Sequence, residues 1–389
     1  MIGAPIPDFG TWTLIDWLDG ALEKSDFPPV SVFCYTFPRS LLVVAQSAHR
    51  VAVVRGMKQR KDQMKNALSR MLVTRVSRRR AEFSRALALA LALGLGAGCS
   101  VKRLAVNKLG DALAGGGSTF ASDDDPELVK AAVPFSLKLM ESLLAESPKH
   151  RGLLFATASG FTQFAYAFVQ QEADEVESDD LAKATAMRQR AKRLYLRARN
   201  YGLRGLEANH AGLGAKLRVN PRDAVRMARK QDVSLLYWTA ASWAAAISLS
   251  KDDPAMIGEI PQMEALMDRT LELDERFDAG AIHSFLITYE MARQGAPGDP
   301  VSRSRQHFER AMELSGGTQA GPLVSFAEAV CVQKQDLRQF DDLLKRALEI
   351  NPDLHPESRL VNLVMQRRAR WLLARRDELF LIPDKPTGN

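Results

Sequence analysis

From Pro126 onward, apolar residues recur every three to four positions, and short polar or Gly/Pro-rich stretches interrupt them. This period is typical of amphipathic α-helices, and no run of alternating β-branched residues is long enough to indicate a sheet. The pattern therefore predicts an all-α protein in which short connections join antiparallel helices. The predicted helices span residues 126–147, 151–176, 180–208, 221–230, 232–250, 260–274, 278–294, 300–315, 320–334, 336–350 and 356–380.

Small residues, a large apolar or aromatic residue and a proline stop recur at fixed spacings on several of these helices. The positions are Ala191, Tyr195 and Ala198; Phe308 and Ala311; Leu344, Ala347 and Pro352; and, in a degenerate copy, Leu144 and Pro148. The second helix of a tetratricopeptide (TPR) unit has this pattern, because small residues let helices approach closely. Most first-helix residues of that motif are absent. We predict about four irregular units in one TPR-like α-solenoid.

A second apolar pattern, ALALALALGLGAGCS, lies upstream of the helical region. Its apolar core, residues 86–98, has 13 residues, whereas a helix needs about 20 to span a bilayer. The length fits the apolar part of a signal peptide, with Arg75 to Arg85 as the positive region and small residues before Cys99. The end resembles a bacterial lipobox, although Gly96 stands where Leu is preferred. A lipidated Cys99 is the interpretation; a short buried helix with a core cysteine is the alternative.

A leader must begin near the N-terminus, so this interpretation divides the chain. Residues 1–70 are then a spurious extension from a misassigned start, with Met57, Met64 and Met71 as alternative starts. Residues 71–98 are the lipoprotein signal peptide, 99–125 a tether with one short helix, 126–380 the helical domain and 381–389 a tail. A long basic cytosolic extension is the alternative for the first segment.

The charge distribution argues against a nucleic-acid binder. Residues 1–98 carry 14 Lys+Arg and 7 Asp+Glu, which gives +7, whereas residues 99–389 carry 39 of each. The whole excess therefore precedes Cys99, and a nucleic-acid binder needs its basic charge on the folded domain. With Cys34 and Cys99 outside the mature fold or modified, Cys331 has no disulfide partner.

No catalytic motif, metal-ligand spacing or cofactor fingerprint occurs in the sequence, so we expect a protein that is not an enzyme and has no cofactor. The six histidines are scattered. Asp123 to Asp125 form a solvated acidic run in the tether. The acidic run from Glu172 to Glu177 is interpreted in the same way, as a solvated helix end.

Aromatic residues are the remaining lead to a binding site. They cluster on two predicted helices, with a histidine and a tyrosine on a third: Phe161, Phe164, Tyr166 and Phe168; Tyr237, Trp238 and Trp243; His283 and Tyr289. Consecutive residues on a helix turn by about 100°, so no set lies on a single face. Part of each set is a candidate lining for an apolar ligand cleft. Packing within the helical core is the alternative, and His283 is then a core histidine.

The last predicted helix combines arginines with apolar positions. Arg367, Arg368, Arg370, Arg375 and Arg376 accompany Leu363, Val364, Trp371, Leu372 and Leu373. The combination indicates a helix that caps the solenoid with a polar outer face. A surface that docks a membrane or a partner is the second interpretation.

Several blocks occur in an order seen in one family. They are FTQFAYAFVQQEADEVES, AKRLYLRARNYGLRGLEA, LLYWTAASWAAAISLSKDDP, RTLELDERFDAGAIHSFL, RQHFERAMELSGG and LVNLVMQRRARWLLARRDELF. From about Leu95 to Phe380 the chain resembles the TatT family of TPR-containing periplasmic lipoproteins associated with tripartite ATP-independent periplasmic (TRAP) transporters. The resemblance implies a helical, non-enzymatic accessory protein that forms trimers. It also implies an apolar cleft or pore and contact with the transporter's solute-binding protein.

Together, these observations predict a periplasmic lipoprotein that works by binding. It would form a homotrimer, dock a TRAP solute-binding protein, and accept or pass on an apolar small molecule, with the lipid anchor as its only contact with the membrane. A general cell-envelope TPR scaffold without a ligand of its own is the alternative, and a periplasmic hydrolase is a third class.

Overall fold

The computed structural model describes residues 106–115 and 117–381, all within a compact unit that comprises Ala86–Asn389. The predictions about residues 1–98 and Cys99 lie outside the described residues. Ten main helices follow one another: α1 (Pro126–Glu146), α2 (Arg151–Val176), α3 (Leu181–Asn209), α4 (Val233–Ser248), α5 (Ile260–Leu273), α6 (Ala281–Tyr289), α7 (Pro300–Leu314), α8 (Ala320–Phe326, continued by Ala327–Cys331 and Val332–Lys334), α9 (Leu337–Glu349) and α10 (Arg359–Ala374).

Short helical segments precede and connect the main helices, and no strand occurs among the residues that the structure describes. The all-α class predicted from the sequence is confirmed. The segments are residues 106–115, Gly117–Ala121, Leu213–Val219, Pro221–Ala224, Val225–Met227, Lys230–Asp232, Pro254–Ile257, Phe277–Gly280, Pro352–Leu354, Pro356–Ser358 and Arg376–Leu379.

Aspartate side chains determine where several helices begin. Asp125 precedes Pro126, and its carboxylate accepts hydrogen bonds from the backbone N–H groups of Glu127 and Leu128 at 3.0 Å. Asp299 precedes Pro300 and accepts from Ser302 in the same way. An N-terminal aspartate satisfies backbone donors that have no partner inside the helix, and proline at the first position needs none. These local signals explain why most predicted helix starts lie within one or two residues of the observed ones.

The helices form two layers. Consecutive helices pack against each other throughout α2 to α10. Apart from the long connection between α3 and α4, the links are short enough that neighbours run antiparallel. The even-numbered helices also make contacts with one another, α2 with α4, α6 with α8 and α8 with α10. Helices on the concave side of a curved array lie closer together than those on the convex side. The even-numbered helices are therefore the inner layer, and α3, α5, α7 and α9 are the outer layer.

The small residues predicted to permit close packing are fully buried. Ala191, Ala198, Ala311 and Ala347 each expose none of their surface, and Tyr195 fills the space between its two alanines. The helix pair α4/α5 is a further unit of this kind. At the position where the other units have a buried alanine it carries Thr270, which is equally buried. Because the threonine replaces the expected small residue, the sequence pattern missed this unit.

Glycines bring α3 and α4 into close contact. A Cβ atom at Gly202 would lie 2.1 Å from Oγ1 and 3.3 Å from Cα of Thr239. At Gly205 it would lie 2.7 Å from a methyl carbon of Leu235. The two glycines stand three residues apart on one face of α3, so the backbones of α3 and α4 approach each other along that face.

The last main helix returns to the first. α10 packs against α1 and against the segment Gly117–Ala121, and the Arg359 Nη1 donates to the backbone oxygen of Ser122 at 2.9 Å. The array of helices in this unit is therefore closed on itself, with α10 between α8 on one side and α1 and α2 on the other. The sequence predicted a terminal cap and gave no indication of this closure.

Two regions differ from the sequence prediction. The predicted tether contains helix 106–115 and Gly117–Ala121, and the first of these packs on the turn after α1, where Ser147 Oγ donates to Asn107 Oδ1 at 2.7 Å. The stretch after α3, predicted as one break and one helix, forms several short turns. The backbone of this stretch is extended at Ala228, and this residue is buried.

One described helix, α2, is long and apolar enough to cross a membrane. Most of its most apolar stretch is buried by the other helices of the same unit. Core helices of water-soluble proteins share this length and composition, and packing within the fold accounts for the apolar surface of α2.

We predict that Gly202→Ala destabilises the protein although alanine is the better helix former. Helix propensity favours alanine by about 1 kcal/mol, whereas overpacking a close helix contact costs about 1–3 kcal/mol. Gly214→Ala is the matched control, because its nearest neighbour lies at 3.7 Å. Urea unfolding should show a lower midpoint for the first variant and an unchanged or higher midpoint for the second. Equal midpoints would contradict the close approach of α3 and α4.

Candidate functional site

Two inner helices contain a π-helical turn. In α2 the turn is Tyr166–Gln170, and in α8 it is Ala327–Cys331. A π turn inserts one extra residue into a helix, shifts the face of the residues that follow, and is frequent at functional sites. Tyr166, the first residue of one turn, and Glu328, the second of the other, are directed toward the inner side near α10.

Arg368 of α10 lies between the two π turns. It exposes only 7% of its surface. Its Nε donates to Glu328 Oε2 at 3.3 Å, its Nη2 donates to Glu328 Oε1, and its Nη1 lies 3.1 Å from Asp174 Oδ2. The guanidinium also lies 4.1 Å from the ring centre of Trp371. A single buried cation thus connects α2, α8 and α10.

Further ion pairs surround this contact. Arg367 donates to Glu175 at 3.0 and 2.5 Å, and Arg188 of α3 pairs with Asp174 and Glu177 at 2.8 and 2.7 Å. Lys130 of α1 lies 2.5 Å from Glu172. The acidic run of α2, interpreted from the sequence as a solvated helix end, therefore pairs with cations of α1, α3 and α10. That interpretation was wrong. The cations that pair with the acidic run belong to other helices, which the sequence of the run itself does not reveal.

Tyr166 combines accessibility with a desolvated hydroxyl. It exposes 38% of its surface, yet burial raises the pKa of its hydroxyl, and the Glu328 carboxylate raises that pKa further. The hydroxyl lies 3.9 Å from the thioether of Met365. Part of the Tyr166 side chain is thus in contact with water while its hydroxyl is surrounded by protein, as expected for a residue on a concave surface. Tyr166 therefore faces the inner side of the closed array.

Gln171 is a buried amide next to this surface. It exposes 1% of its area, and neither its amide oxygen nor its amide nitrogen makes a hydrogen bond of acceptable geometry to the described residues. The side chain is nevertheless close enough to the Tyr166 hydroxyl to lower that pKa. A buried amide without partners costs about 1–3 kcal/mol. Gln171 thus offers hydrogen-bonding capacity beside Tyr166, next to the ion pairs of Arg368.

Most aromatic residues predicted to line a cleft pack in the core. Phe161, Phe164, Phe168, Tyr237 and Trp243 each expose 9% of their surface or less. Phe161 stacks on Tyr201 at 6.3 Å between ring centres, and Phe164 contacts Phe168 at 5.8 Å. The Trp243 Nε1 donates to Glu259 at 2.7 Å. These side chains offer little surface to a ligand in this conformation.

The other predicted residues divide between the core and the accessible surface. Tyr289 is half-buried and donates to Glu264 Oε1 at 2.8 Å. His283 is buried, with its Nδ1 2.9 Å from Nδ1 of His307, and burial lowers the pKa of His307 to about 4. Trp238 is half-buried and meets Tyr237 edge-on at 5.1 Å. Of the nine predicted residues, Tyr166, Trp238 and Tyr289 therefore keep accessible surface, and the Tyr289 hydroxyl is already bonded to Glu264.

A strained turn lies beside Tyr237. Asp278, Ala279 and Gly280 have φ values of 47°, 51° and 89°, a region that residues with a side chain adopt at a cost and often at functional sites. Burial raises the pKa of the Asp278 carboxyl, and that carboxyl contributes to the raised pKa of Tyr237. The sequence DAGA gave no signal for this turn, because its glycine explains only one of the three residues.

Comparisons with known proteins agree with this architecture. The chain matches the family described as TRAP transporter T-component over residues 122–380, which is more than half of its length. It is also similar to an uncharacterized protein of Treponema pallidum (strain Nichols), with 29% identity over 303 residues, 73% of this chain and 93% of that protein. The family match begins and ends close to the limits of the helical array.

We predict that Arg368→Met destabilises the protein by about 1–3 kcal/mol, because it removes the charge-assisted hydrogen bonds that the half-buried Glu328 accepts and the ion pair with Asp174. Arg370→Met is the control on the same helix, since Arg370 is exposed, and should cost less than about 0.5 kcal/mol. Combining Arg368→Met with Glu328→Gln should recover part of the loss. Chemical denaturation measures all three. A strictly additive double variant would contradict the pairing of Arg368 with Glu328.

Proposed function

The chain belongs to the family of TRAP transporter T-components, and we propose that it is a periplasmic, lipid-anchored accessory protein that binds an apolar small molecule on its inner surface. It docks a TRAP solute-binding protein and exchanges that molecule with it. Family membership carries the accessory role in TRAP transport. The anchor at Cys99, the docking, the trimer and the ligand are the proposal.

The accessible aromatic side chains of the inner layer carry the ligand proposal. Tyr166 and Trp238 belong to α2 and α4, which pack together, and both side chains keep accessible surface. Ligand sites are mostly apolar, with a few polar groups that fix orientation. Tyr166 and Gln171 supply such groups at one end, so the proposed ligand has an apolar body and a single hydrogen-bonding end.

Binding rather than catalysis fits the chemistry of this surface. Its charged side chains, Arg368, Glu328 and Asp174, are committed to ion pairs that connect helices. Among the described residues no group of three or more His, Cys, Asp or Glu side chains could hold a metal ion. Neither the ion-paired side chains nor the other described residues near Tyr166 form an activated nucleophile or a general base. The inner surface is therefore better suited to hold a molecule than to transform it.

An exposed apolar stripe on α1 supports the proposed assembly. Leu128 and Phe135, seven residues apart, expose 58% and 73% of their surface, and Ala131 lies exposed between them on the same helix face. Exposed apolar stripes of this kind are typical of protein interfaces. We assign this stripe, which we call the α1 stripe (Leu128, Ala131 and Phe135), to contact between protomers of the trimer.

We predict that small apolar molecules co-purify with the full chain and that Trp238→Ala and Tyr166→Ala each lower their recovery several-fold. Phe135→Ala is the matched control, since it removes an exposed aromatic ring from α1 and not from the inner surface. Solvent extraction and mass spectrometry of the purified proteins give the amounts. If no apolar molecule is recovered from the wild type, or if all variants retain it equally, the scaffold without its own ligand is the better description.

We predict that Phe135→Lys dissociates the trimer, because it places a charge at the centre of the α1 stripe. Leu181→Lys is the control, as Leu181 exposes 64% of its surface at the start of α3. Multi-angle light scattering should give the mass of a trimer for the wild type and the control, and that of a monomer for Phe135→Lys. A trimeric Phe135→Lys protein would show that the stripe serves another contact, for which cross-linking to the solute-binding protein is the test.

A further inference from the structure

The connection between α3 and α4 concentrates positive charge on the surface. Six basic side chains are exposed there, and Asp223 is the only exposed acidic residue between residues 211 and 232. We call this set the basic surface; it consists of Lys216, Arg218, Arg222, Arg226, Arg229 and Lys230. The overall neutrality of residues 99–389 hides this local excess, which the net charge of the chain did not reveal.

The basic surface stands on a fixed scaffold. Apolar side chains between the basic ones are buried in the main core: Leu213, Leu217, Ala224, Val225 and Ala228. The Asn220 side chain accepts a hydrogen bond from the backbone of Asp223, and Arg269 of α5 donates to the backbone oxygen of Ala228 at 2.9 Å. The cations therefore project from an ordered segment, so their positions are set by the fold.

A buried carboxylate connects the basic surface to the start of α2. Asp232 exposes none of its area; it accepts from Arg151 Nη2 at 2.5 Å, from the Arg229 backbone N–H at 2.8 Å, and lies 2.8 Å from His210 Nε2. Burial alone would raise the pKa of Asp232, but the Arg229 N–H, His210 and Arg151 lower it on balance. Its charge is thus engaged internally. Of the exposed cations, Arg226 lies 3.7 Å from Asp223 and Lys230 lies 3.2 Å from Asp274, and the positive excess of the segment comes from the others.

The first described helix meets the same end of the array. Asn107 accepts a hydrogen bond from Ser147 and its backbone oxygen lies 3.2 Å from His150 Nε2, while the neighbouring Arg151 donates to the Gln231 backbone oxygen at 2.6 Å. Residue 107 and the basic surface are therefore separated by only a few side chains. Six residues separate Cys99 from Val106, so the two Cα atoms are about 25 Å apart at most.

An open cavity of about 750 Å³ lies within this surface. Arg226, Arg229 and Lys230 border it on one side, and His210 and Arg269 on the other. A concave site bordered by several cations is suited to a phosphate group. Val219, which exposes 87% of its area, adds one apolar side chain among the cations.

We propose that the basic surface docks on a membrane that contains anionic phospholipid, with headgroup phosphates held among its cations. The orientation rests on the proposed anchor at Cys99, which would keep this end of the protein at the membrane. Docking would fix the orientation of the helical array relative to the bilayer. A lipid anchor alone would hold the protein at the membrane without fixing that orientation. A membrane is favoured over an acidic protein because the surface lies beside the end at which the proposed anchor at Cys99 would hold the chain.

The test is flotation of the purified full chain with vesicles of phosphatidylcholine, alone or with about a third of it replaced by phosphatidylglycerol. The variant is Arg226→Gln/Arg229→Gln/Lys230→Gln, and the matched control is Arg338→Gln/Lys345→Gln/Arg346→Gln, which removes three exposed cations from α9. A second variant, Lys216→Gln/Arg218→Gln/Arg222→Gln, covers the case in which the first unfolds. Any contribution of the N-terminal region is common to all four proteins.

We expect the extra binding to anionic vesicles to fall at least about tenfold in both basic-surface variants, to persist in the control, and to vanish in 1 M salt. Hydrogen exchange should slow in residues 213–232 on anionic vesicles and not in α9. Equal binding by variants and control, or exchange unchanged in residues 213–232, would overturn the proposal. If the basic-surface variants still bind anionic vesicles and lose only their association with the solute-binding protein, the surface is a protein interface and the membrane proposal is wrong.

The anchor is tested separately by the mass of the peptide that contains Cys99. An unmodified Cys99 together with vesicle binding that depends on the basic surface would contradict the anchor alone. A lipidated Cys99 with no effect of the basic-surface variants would contradict the docking alone.

Discussion

The contact of Arg368 with Glu328 and Asp174 is the interaction on which the closed array depends. Each of the three residues belongs to a different inner helix, and the guanidinium is buried where α2, α8 and α10 meet. A buried ion pair contributes little net stability compared with well-packed apolar residues, but breaking it leaves costly charges behind. We infer that it determines how the ends of the array meet more than how stable the array is.

Both π turns lie at the same contact. A π turn shifts the face of the residues that follow it, so the turn Tyr166–Gln170 changes the face of Asp174 relative to that of Tyr166. With the turns in place, Glu328 reaches Arg368 and the Tyr166 hydroxyl lies near both. Closure and the polar end of the inner surface are thus built from the same residues, so that a change at the closure alters the candidate ligand site as well.

The sequence predicted what local signals determine. Helix bounds followed from capping aspartates such as Asp125, and the buried positions Ala191, Tyr195 and Ala347 followed from spacing. What it could not provide was the partner of each charge: Arg367 and Glu175 lie 192 residues apart, and neither helix carries a pattern that names the other. The prediction from the aromatic clusters went wrong for a different reason. The sequence places Phe161 and Trp243 on helices but does not show which face of each helix meets the core.

Residues 99–389 are neutral as a whole and yet carry a basic surface, because charges are paired differently in two parts of the fold. Around the closure, cations and carboxylates face one another and cancel. Between α3 and α4, buried Asp232 engages Arg151 and His210, so an excess of exposed cations remains there. A count over 291 residues averages these two arrangements to zero, although one connects helices and the other faces solvent. The field that a partner meets is set by which charges are paired inside the fold, and here an excess of exposed cations lies at the end of the array where Asn107 contacts Ser147 and His150.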